Sequence, residues 1–443
     1  MLPQEFLQRM KTLLGEPEFD AFLASYDRPR NVGLRRNPLK TGKSISLPFG
    51  LTPVPWAKNG YYYDPAARPG LHPYHEAGLY YLQEPSAMAP AELLDAQPGE
   101  RVLDLCAAPG GKSTQIAAQL CGRGLLCCNE IHPARAKILS RNIERLGIAN
   151  ALVLNETPQR LAARMPEFFD RVLVDAPCSG EGMFRKEEAA IADWSEETVA
   201  LCAARQLTIL DSAAQLLAPG GRLVYSTCTF SPQENEGVVS EFLRAHPDFS
   251  VETVSAPYFS PGRPDWLDAP YGALSETFRL FPHKLRGEGH YAAVLRREGA
   301  GRAVLPLQMP DRLPPELSQF CASLGIAVPA GLPVFFGETL YLAPEETPQL
   351  RGLRVLRAGL ETGTLRKGRF EPAHALALFL KTAASRVDFP ADSREIAAYL
   401  RGESLPGEAV GWTLLTVDGL SLGWVKGSNG QLKNHFPKGL RRA

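Results

Sequence analysis

The chain has 443 residues, 44% of them hydrophobic and 22% charged, and its 48 basic and 48 acidic side chains leave no net charge at pH 7. This length predicts two or three domains, and this composition is typical of a soluble globular protein. Zero net charge argues against a uniformly basic nucleic-acid binder, and no apolar run approaches the roughly 20 residues of a membrane-spanning helix.

The start of the chain and the cysteines indicate a cytoplasmic protein. Residues 1–10 lack the basic start and apolar stretch of a signal peptide, and the eight cysteines lack the regular spacing of a disulfide framework. No Cys-x-x-Cys pair and no His/Cys cluster has the spacing of a zinc site. We therefore expect reduced thiols, no bound metal and no membrane contact.

Residues 1–95 are expected to form an N-terminal extension. They begin with two short amphipathic segments and continue as a stretch rich in Pro, Gly and Tyr. Residues 27–43 hold six basic side chains and one acid, which indicates either a polyanionic partner or a solvated face. The six are Arg28, Arg30, Arg35, Arg36, Lys40 and Lys43.

Between residues 96 and 298, apolar runs alternate with helical segments. Strands are predicted at 101–106, 124–128, 151–154, 171–175 and 222–227, and helices near 111–121, 133–146, 196–217 and 233–245. This alternation predicts an α/β fold with a doubly wound, mostly parallel sheet, in which the third, second, first, fourth and fifth strands are neighbours in that order. An antiparallel pair, 278–283 with 291–296, is expected to close one edge.

The remaining residues are expected to form two smaller units. Residues 299–390 begin as a Gly/Pro-rich linker and continue into a small intermediate domain, and residues 391–443 form a compact β module. The turns Asp418-Gly419 and Asn429-Gly430 separate its short strands. Residues 420–443 hold five basic side chains and no acid, so this module is a second candidate for contact with a polyanion.

A glycine turn follows the first strand of the predicted sheet and opens a helix. Its sequence is Ala107-Ala-Pro-Gly-Gly-Lys112. Glycines let the backbone approach a ligand, and the helix start offers free N–H groups. Glu130 ends the next strand, about 20 residues on, where an acid commonly holds ribose hydroxyls. The turn lacks the Gly-x-Gly-x-x-Gly pattern of dehydrogenases, and together with Glu130 it predicts a nucleotide-like cofactor.

Two cysteines stand where strands run out into loops. Cys178 follows Asp175-Ala-Pro, and Cys228 follows Ser226-Thr. Ligands collect at the carboxyl ends of parallel strands, so the predicted strand order brings both thiols and the glycine turn to one cleft. Most free cysteines are small buried hydrophobes, which suits Cys121, Cys127, Cys202 and Cys321 better than this pair. The pattern predicts covalent catalysis beside a bound cofactor.

These motifs resemble those of a known enzyme family. Leu103-Asp-Leu-Cys-Ala-Ala-Pro-Gly-Gly-Lys112, Asp175-Ala-Pro-Cys-Ser-Gly180 and Ser226-Thr-Cys228 are similar to the motifs of the Nol1/Nop2/Sun RNA cytosine-5 methyltransferases. A narrower resemblance, to bacterial members of the family that act on small-subunit ribosomal RNA, covers nearly the whole chain. It is carried by Leu79-Tyr-Tyr-Leu-Gln-Glu-Pro-Ser-Ala-Met88, Glu181-Gly-Met-Phe-Arg-Lys186 and Leu432-Lys-Asn-His-Phe-Pro-Lys-Gly-Leu-Arg441.

The resemblance implies a Rossmann-like methyltransferase domain at 96–298, an RNA-binding extension before it and a PUA-like RNA-binding module at its C-terminal end. It implies small-subunit (16S) ribosomal RNA, or the small ribosomal subunit, as the partner, docked by the Phe/Tyr-rich residues 49–81 and by the module. S-adenosylmethionine would lie on Glu130 and on the segment formed by Cys106, Ala107, Ala108, Pro109, Gly110, Gly111 and Lys112.

The resemblance also implies roles for the strand-end residues. Cys228 would be the nucleophile, Cys178 would help to release the product, and Asp175 and Lys112 would touch the cofactor or the target base. One residue departs from the family pattern: Thr157 stands where an Asp usually lies near the adenine. Either Glu156 or Thr157 would make that contact.

The chemistry of the residues agrees with cytosine-5 methylation. A thiolate that adds to carbon 6 turns the ring into an enamine, which can accept a methyl group at carbon 5. A base within a helix must be unpaired or flipped out to be reached. The residues alone leave open which thiol attacks, because DNA cytosine-5 methyltransferases use the Pro-Cys thiol, here Cys178. A tRNA substrate and a catalytically idle RNA-binding assembly factor remain alternatives.

Overall fold

The N-terminal region consists of two helices followed by a small antiparallel sheet. The computed structural model describes residues 2–40 and 45–442. Phe6 and Met10 lie one turn apart on the first helix and are fully buried in a cluster with Phe184 and Trp194. The elements are α1 (Gln4–Leu14), α2 (Glu16–Ala24), β1 (Gly33–Arg36), β2 (Thr52–Pro53), β3 (Gly60–Tyr62), α3 (Pro73–Glu76), β4 (Tyr80–Leu82) and α4 (Ala89–Leu94).

The central domain alternates strands and helices as the apolar runs predict. Its first strands and helices are β5 (Arg101–Asp104), α5 (Gly111–Leu120), β6 (Leu125–Asn129), α6 (Pro133–Arg145), β7 (Ala151–Leu154), α7 (Pro158–Arg164) and β8 (Phe169–Asp175). The later elements are α8 (Glu188–Ala192), α9 (Glu196–Leu216), β9 (Leu217–Thr227), α10 (Val238–Ala245), β10 (Phe249–Val251), β11 (Ser260–Pro261), β12 (Phe278–Leu280) and β13 (His290–Arg297).

Five parallel strands form the centre of this domain in the order β7-β6-β5-β8-β9, which confirms the predicted strand order. Antiparallel β13 and β12 extend the sheet beyond β9, as expected for the closing pair. Apolar side chains fill a core on each face of the sheet, because residues of a parallel strand alternate between two covered faces. The carboxyl ends of β5, β6, β8 and β9 therefore share one rim.

The segment predicted as one helix at 233–245 contains a wider turn. Residues Gln233–Gly237 form a π-helical turn, and α10 continues from it. The turn places three consecutive polar side chains in the interior, those of Glu234, Asn235 and Glu236. Apolar periodicity alone does not reveal such a turn.

The intermediate residues contribute to two sheets. Their elements are α11 (Pro315–Ser323), β14 (Leu332–Phe336), β15 (Thr339–Ala343), β16 (Val355–Ala358), β17 (Leu360–Arg366), β18 (Arg369–Pro372) and α12 (His374–Phe379). Four of the strands pair in the order β14-β15-β17-β18. Strand β16 instead pairs with β7 and extends the central sheet, so the intermediate segment is joined to the central domain by main-chain hydrogen bonds.

The C-terminal module is a five-stranded sheet with one helix. Its elements are β19 (Arg386–Phe389), α13 (Arg394–Arg401), β20 (Leu405–Pro406), β21 (Gly411–Val417), β22 (Leu420–Ser428) and β23 (Gln431–Asn434). The two predicted turns join β21 to β22 and β22 to β23, and all four of their residues have the positive φ that such turns require. Ile396, Tyr399 and Leu400 of α13 share a core with the N-terminal region.

The aromatic stretch 49–81, expected to dock RNA, lies mostly in the interior. The rings of Phe49, Tyr62, Tyr74 and Tyr80 are at most 8% exposed. Phe49, Tyr74 and Tyr80 belong to the core shared with the C-terminal module. These rings hold the two units together and are not free to stack on bases.

The basic cluster at 27–43 contains both buried and exposed side chains. Arg35 is buried, and its guanidinium donates to the carbonyl oxygen of Gly111 at 2.6 Å and to the hydroxyl of Thr114 at 2.8 Å. Arg28 and Arg30 are exposed, whereas Lys43 lies outside the described residues. The structure thus assigns Arg35 to support of the glycine turn and leaves Arg28 and Arg30 on the surface.

Candidate functional site

The glycine turn connects β5 to α5 at the rim of the sheet. Gly110 has φ 110°, a conformation that favours glycine, and α5 begins at Gly111. Two side chains of α6 hold the turn: Arg135 donates to the carbonyl of Ala108, and Asn142 donates to the carbonyl of Pro109, both at 2.8 Å. The backbone of the turn is therefore fixed from behind.

A cavity of about 810 Å³ opens beside this turn at the ends of the parallel strands. From the predicted cofactor segment, Cys106 and Ala108 line it, while Ala107, Pro109, Gly110, Gly111 and Lys112 lie outside that lining. Glu130, Asp175, Cys178 and Cys228 also line the cavity. The structure thus brings four residues from three strand ends to one space.

Glu130 follows β6 and is held firmly at the cavity wall. Its carboxylate accepts from the backbone N–H of His132 at 2.9 Å and lies 3.4 Å from a guanidinium nitrogen of Arg135. The side chain is 3% exposed. Arg135 thereby links the carboxylate to the carbonyl of Ala108 in the glycine turn, and the two predicted cofactor contacts form one unit.

Thr157 and Glu156 are engaged away from the cavity. The hydroxyl of Thr157 accepts from the backbone N–H of Arg160 and caps α7. One oxygen of Glu156 accepts from the backbone N–H of Arg354 at 2.7 Å, and the other lies 3.3 Å from the guanidinium of Arg160. Neither side chain lines the cavity, so these contacts do not favour an adenine contact by either residue.

The two strand-end thiols lie next to each other. The sulfur of Cys178 is 3.3 Å from the sulfur of Cys228 and 3.4 Å from the backbone nitrogen of Cys228. The shared hydrogen bond with Cys228, together with burial, holds the pKa of the Cys178 thiol well above its usual range. Cys178 therefore carries a proton at neutral pH.

Asp175 lies at the end of β8 beside the thiols and receives three polar groups. Lys112 Nζ lies 2.7 Å from its Oδ2, and the hydroxyl of Ser226 donates to its Oδ1 at 2.8 Å. His290 Nε2 lies 3.5 Å from the same Oδ1. Burial opposes the charge on Asp175, but Lys112 and His290 outweigh it and hold the pKa of the carboxyl well below its usual range. Asp175 is therefore ionised at neutral pH.

Comparison with known proteins identifies the family to which this chain belongs. Family models match four consecutive parts of the chain: the N-terminal domain of 16S rRNA methyltransferase RsmF at 2–85, 16S rRNA methyltransferase RsmB/F at 91–296, the first C-terminal domain of RsmF at 319–380 and its PUA domain at 386–442. A ribosomal RNA small subunit methyltransferase F of Erwinia tasmaniensis is 33% identical, with 99% of this chain and 97% of that protein covered.

This chain belongs to the RsmB/F family of 16S rRNA methyltransferases. A ribosomal RNA small subunit methyltransferase F of Klebsiella pneumoniae is 35% identical, with 99% of this chain and 96% of that protein covered. Among solved structures, a methyltransferase homologue of Pyrococcus horikoshii is 27% identical, with a TM-score of 0.55 over 67% of this chain and 100% of that one. The predicted family and the predicted methyl donor, S-adenosylmethionine, are confirmed.

The cavity of this RsmB/F methyltransferase fits S-adenosylmethionine. Ribose hydroxyls donate hydrogen bonds, and the Glu130 carboxylate at the cavity wall has acceptor sites beyond those that His132 and Arg135 use. The conformation of Gly110 places the start of α5 at the rim. Glu130 would hold the ribose, and the segment around Cys106 and Ala108 would lie along the cofactor.

A set of hydrogen bonds that no sequence motif indicated, called here the brace, holds together the loops that carry Cys178 and Cys228. Buried Glu234 accepts from the backbone N–H of Ser179 and from the amide of Gln206, both at 2.9 Å. The hydroxyl of Ser179 in turn lies 2.9 Å from that of Thr229. Ser179 and Thr229 directly follow Cys178 and Cys228, so this brace fixes the spacing of the sulfurs. The acid-rich Gln233-Glu-Asn-Glu236, a few residues after the end of β9, is the available sequence signal.

A second brace joins the N-terminal helix to the same loops. Glu181 is fully buried, accepts from the indole N–H of Trp194 at 2.9 Å and from the backbone N–H of Phe230 at 3.0 Å, and pairs with Arg9. The backbone N–H of Gly182 donates to the carbonyl of Cys228 at 2.8 Å. The N-terminal region is therefore part of the support of the site.

The other chemical features of the described chain are simple. All eight cysteines are free of disulfide bonds. Within residues 2–40 and 45–442, no three His, Cys, Asp or Glu side chains are grouped as a metal site would require. No helix in the part of the chain that the structure describes is long and apolar enough to span a bilayer.

Proposed function

We propose that this protein transfers a methyl group from S-adenosylmethionine to carbon 5 of a cytosine in 16S ribosomal RNA, through a covalent bond between Cys228 and the base. The pair of thiols carries this proposal: the sulfurs are 3.3 Å apart and both cysteines line the cavity beside Glu130. Base nitrogens and ribose oxygens already hold a nucleophilic lone pair. Carbon 5 has no such lone pair, and it becomes nucleophilic only after a thiol has added to carbon 6.

Lys112 and Asp175 would hold the base for this attack. The Watson–Crick edge of cytosine offers acceptors at O2 and N3 and a donor at N4, and the Lys112–Asp175 pair offers one cation and one carboxylate, 2.7 Å apart. A flipped base entering the cavity would meet Asp175 next to Cys228, with Lys112 paired to that carboxylate outside the cavity lining. Their charges also compensate each other, which makes the pair tolerable in a buried site.

The covalent mechanism forms and breaks bonds at carbon 5 and carbon 6 of the base. The thiolate of Cys228 adds to carbon 6, and the electrons of the C5–C6 double bond move to make carbon 5 nucleophilic. S-adenosylmethionine would supply an electrophilic methyl group to carbon 5 and would leave as S-adenosylhomocysteine. Loss of the carbon 5 proton to water or another base then restores the double bond as the C6–S bond breaks, and Cys228 leaves as a thiolate.

Cys178 would assist this departure. Its thiol keeps its proton, as the raised pKa indicates, and its sulfur lies 3.3 Å from that of Cys228. An S–H group at that distance can donate a hydrogen bond to the departing thiolate and stabilise it. Without this group, the C6–S bond would form but break slowly. This division of roles follows the resemblance to the Nol1/Nop2/Sun family.

The substrate follows from the relatives and from the modules around the site. The similar proteins of Erwinia tasmaniensis and Klebsiella pneumoniae are named as methyltransferases of small-subunit ribosomal RNA. The PUA model at 386–442 supports RNA binding by the C-terminal module, with the N-terminal region of residues 1–95 as a second contact. The substrate would be 16S rRNA or the small subunit, and the enzyme would act in the cytoplasm.

Bisulfite sequencing tests the proposal. Ribosomal RNA is compared from a strain that lacks the protein and from the same strain complemented with wild type or with Cys228→Ala. We expect at least one 16S cytosine to be protected from conversion with wild type only. Protection in tRNA instead of 16S rRNA would show the alternative substrate. No change in any RNA would favour an idle assembly factor.

A further inference from the structure

His290 lies at the start of β13 with its imidazole against Asp175, and the reaction described above does not use it. The residue is 6% exposed, and its Nε2 lies 3.5 Å from Oδ1 of Asp175. Strand β13 runs antiparallel to β9, with Tyr291 opposite Thr227, so this ring reaches the same rim as Cys228. His290 lies 115 residues after Asp175 in the sequence, and none of the motifs identified above includes it.

The backbone before His290 is held in place by surrounding residues. Gly289 has φ 116°, and a Cβ atom there would stand 2.4 Å from the ring of Phe230. Its N–H donates to the hydroxyl of Ser86 at 3.3 Å, and the N–H of Glu288 donates to the carboxylate of Glu84 at 2.9 Å. The loop is therefore fastened to the N-terminal region, and the position of the imidazole is set by tertiary contacts.

Both ring nitrogens of His290 face acceptors. Nδ1 lies 3.1 Å from the carbonyl oxygen of Gly289, which can only accept, and Nε2 faces the ionised carboxylate of Asp175. A neutral imidazole donates from one nitrogen and presents a lone pair at the other. A hydrogen on Nε2 is therefore what lets the ring donate to Asp175.

The charges around this ring come from several elements. Asp175 of β8 carries the charge that faces it, and that carboxylate is also paired with Lys112 of α5 and bonded by the hydroxyl of Ser226 in β9. Glu288, in the loop before the ring, is directed at Arg185, 3.3 Å away. Asp175 is therefore the carboxylate that the ring faces.

We propose that His290 is a positioning residue for Asp175, donating from Nε2 to Oδ1 and fixing the rotation of the carboxylate while Lys112 holds Oδ2. Ser226 and His290 then occupy one oxygen of Asp175, and Lys112 occupies the other. A carboxylate fixed in this way presents its remaining lone pairs in one direction. The proposal rests on the assignment of Asp175 to the target base.

Two matched substitutions test this role in the full-length enzyme. The amide nitrogen of His290→Gln lies close to the position of Nε2 and can still donate to Asp175, whereas that of His290→Asn mimics Nδ1 and cannot reach it. We expect His290→Asn to lower kcat by about 10- to 100-fold, the range for loss of a hydrogen bond to a charged group. KM for RNA should stay within about threefold, since substrate binding uses other contacts. His290→Gln should retain most of kcat.

Equal losses in both variants, or a loss confined to KM, would overturn the role. Melting temperatures of the two variants, compared with wild type, separate this outcome from poor folding. The Gln/Asn comparison remains informative because both side chains are polar and smaller than the imidazole ring.

A spectroscopic measurement tests the contact without methyl transfer. In protein labelled with ¹⁵N-histidine, the His290 signals are assigned by their loss in His290→Gln. We expect Nε2 to carry a hydrogen, as its donation to Asp175 requires, and we expect the Nε2 signal to shift in Asp175→Asn. An unprotonated Nε2, or no shift in Asp175→Asn, would contradict the proposal even if the enzyme methylates cytosine. Conversely, the expected signals with no 5-methylcytosine in the product would contradict only the proposed reaction.

Discussion

The sulfur of Cys178 lies 3.3 Å from the sulfur of Cys228, although fifty residues separate them in the chain. They meet because β8 and β9 are neighbouring parallel strands whose carboxyl ends leave the sheet together, with Asp175 opposite Ser226 in the register. The brace of Glu234, Ser179 and Thr229 then sets the distance between the loops. Cys178, whose pKa is held well above its usual range, can donate a hydrogen bond to Cys228 at this distance, as the proposed reaction requires.

Substitution of each thiol should produce a different defect. Cys228→Ala should abolish methyl transfer, because no nucleophile remains, while the dissociation constant of S-adenosylmethionine stays near that of wild type. Cys178→Ala should still permit attack but slow release, leaving a protein–RNA adduct that survives denaturing gel electrophoresis. Cys202→Ala, at a buried thiol outside the cavity lining, serves as the control. An adduct in Cys228→Ala and none in Cys178→Ala would reverse the assignment.

The C-terminal module should bind RNA phosphates through neighbouring lysines. Lys426 and Lys433 are exposed and stand directly opposite each other in β22 and β23, a like-charge pair that costs stability unless an anion binds there. The double variant Lys426→Gln/Lys433→Gln should bind RNA more weakly. The slope of log Kd against log salt should fall by roughly 1.5, since each phosphate contact contributes about 0.7 to 0.9.

Point substitutions test this module better than its removal would. Tyr399 and Leu400 share a core with Leu34 and Tyr80 of the N-terminal region, so truncation would expose that core. Lys367→Gln, at an exposed turn of the intermediate segment, is the matched control. An unchanged salt slope in the double variant would show that these lysines contact no phosphate.

Thr157→Asp should leave the affinity for S-adenosylmethionine within about twofold of wild type. The side chain of Thr157 caps α7 and does not line the cavity, and Asp is an equally good cap. Calorimetric titration of wild type and of Thr157→Asp measures the difference. Tightening by about tenfold, the effect of a new hydrogen bond of roughly 1.4 kcal/mol, would instead place residue 157 at the adenine.

The stability of the fold should depend on pH through Asp104. Burial at the end of β5 raises the pKa of this carboxyl from 3.8 to about 7, although the hydroxyl of Ser113 partly opposes the shift. Between these values the folded chain holds a proton that the unfolded chain has lost. The stabilisation is fully present below pH 3.8 and is lost as the pH rises through about 7.

Asp104→Asn should remove this dependence, because an amide does not titrate. Between pH 6 and pH 8, wild type should lose roughly 1 kcal/mol more of its free energy of unfolding than the variant does. Differential scanning calorimetry of the cofactor-free proteins at the two pH values measures the contrast. Ser113→Ala is the control for loss of the hydrogen bond alone. An equal pH response in wild type and Asp104→Asn would contradict the prediction.

The sequence by itself determined the central sheet and the position of the chemistry. Apolar runs alternate with amphipathic helices, and this alternation allows few arrangements other than a doubly wound parallel sheet. In such a sheet every strand delivers its carboxyl end to one rim, so Glu130, Asp175, Cys178 and Cys228 could be assigned to one cleft from local pattern alone. The assignment needed no knowledge of distant contacts.

Only the tertiary structure decided which side chains support that chemistry. His290 reaches Asp175, and Glu234 reaches Ser179, through strands and turns that are remote in sequence. The pairing of a buried polar group depends on which neighbours the packing brings within hydrogen-bond distance, and periodicity does not encode that choice. For the same reason Arg35 was grouped with a basic surface cluster although it lies beneath the glycine turn. Residue type predicts that such a group needs a partner, and the three-dimensional packing selects the partner.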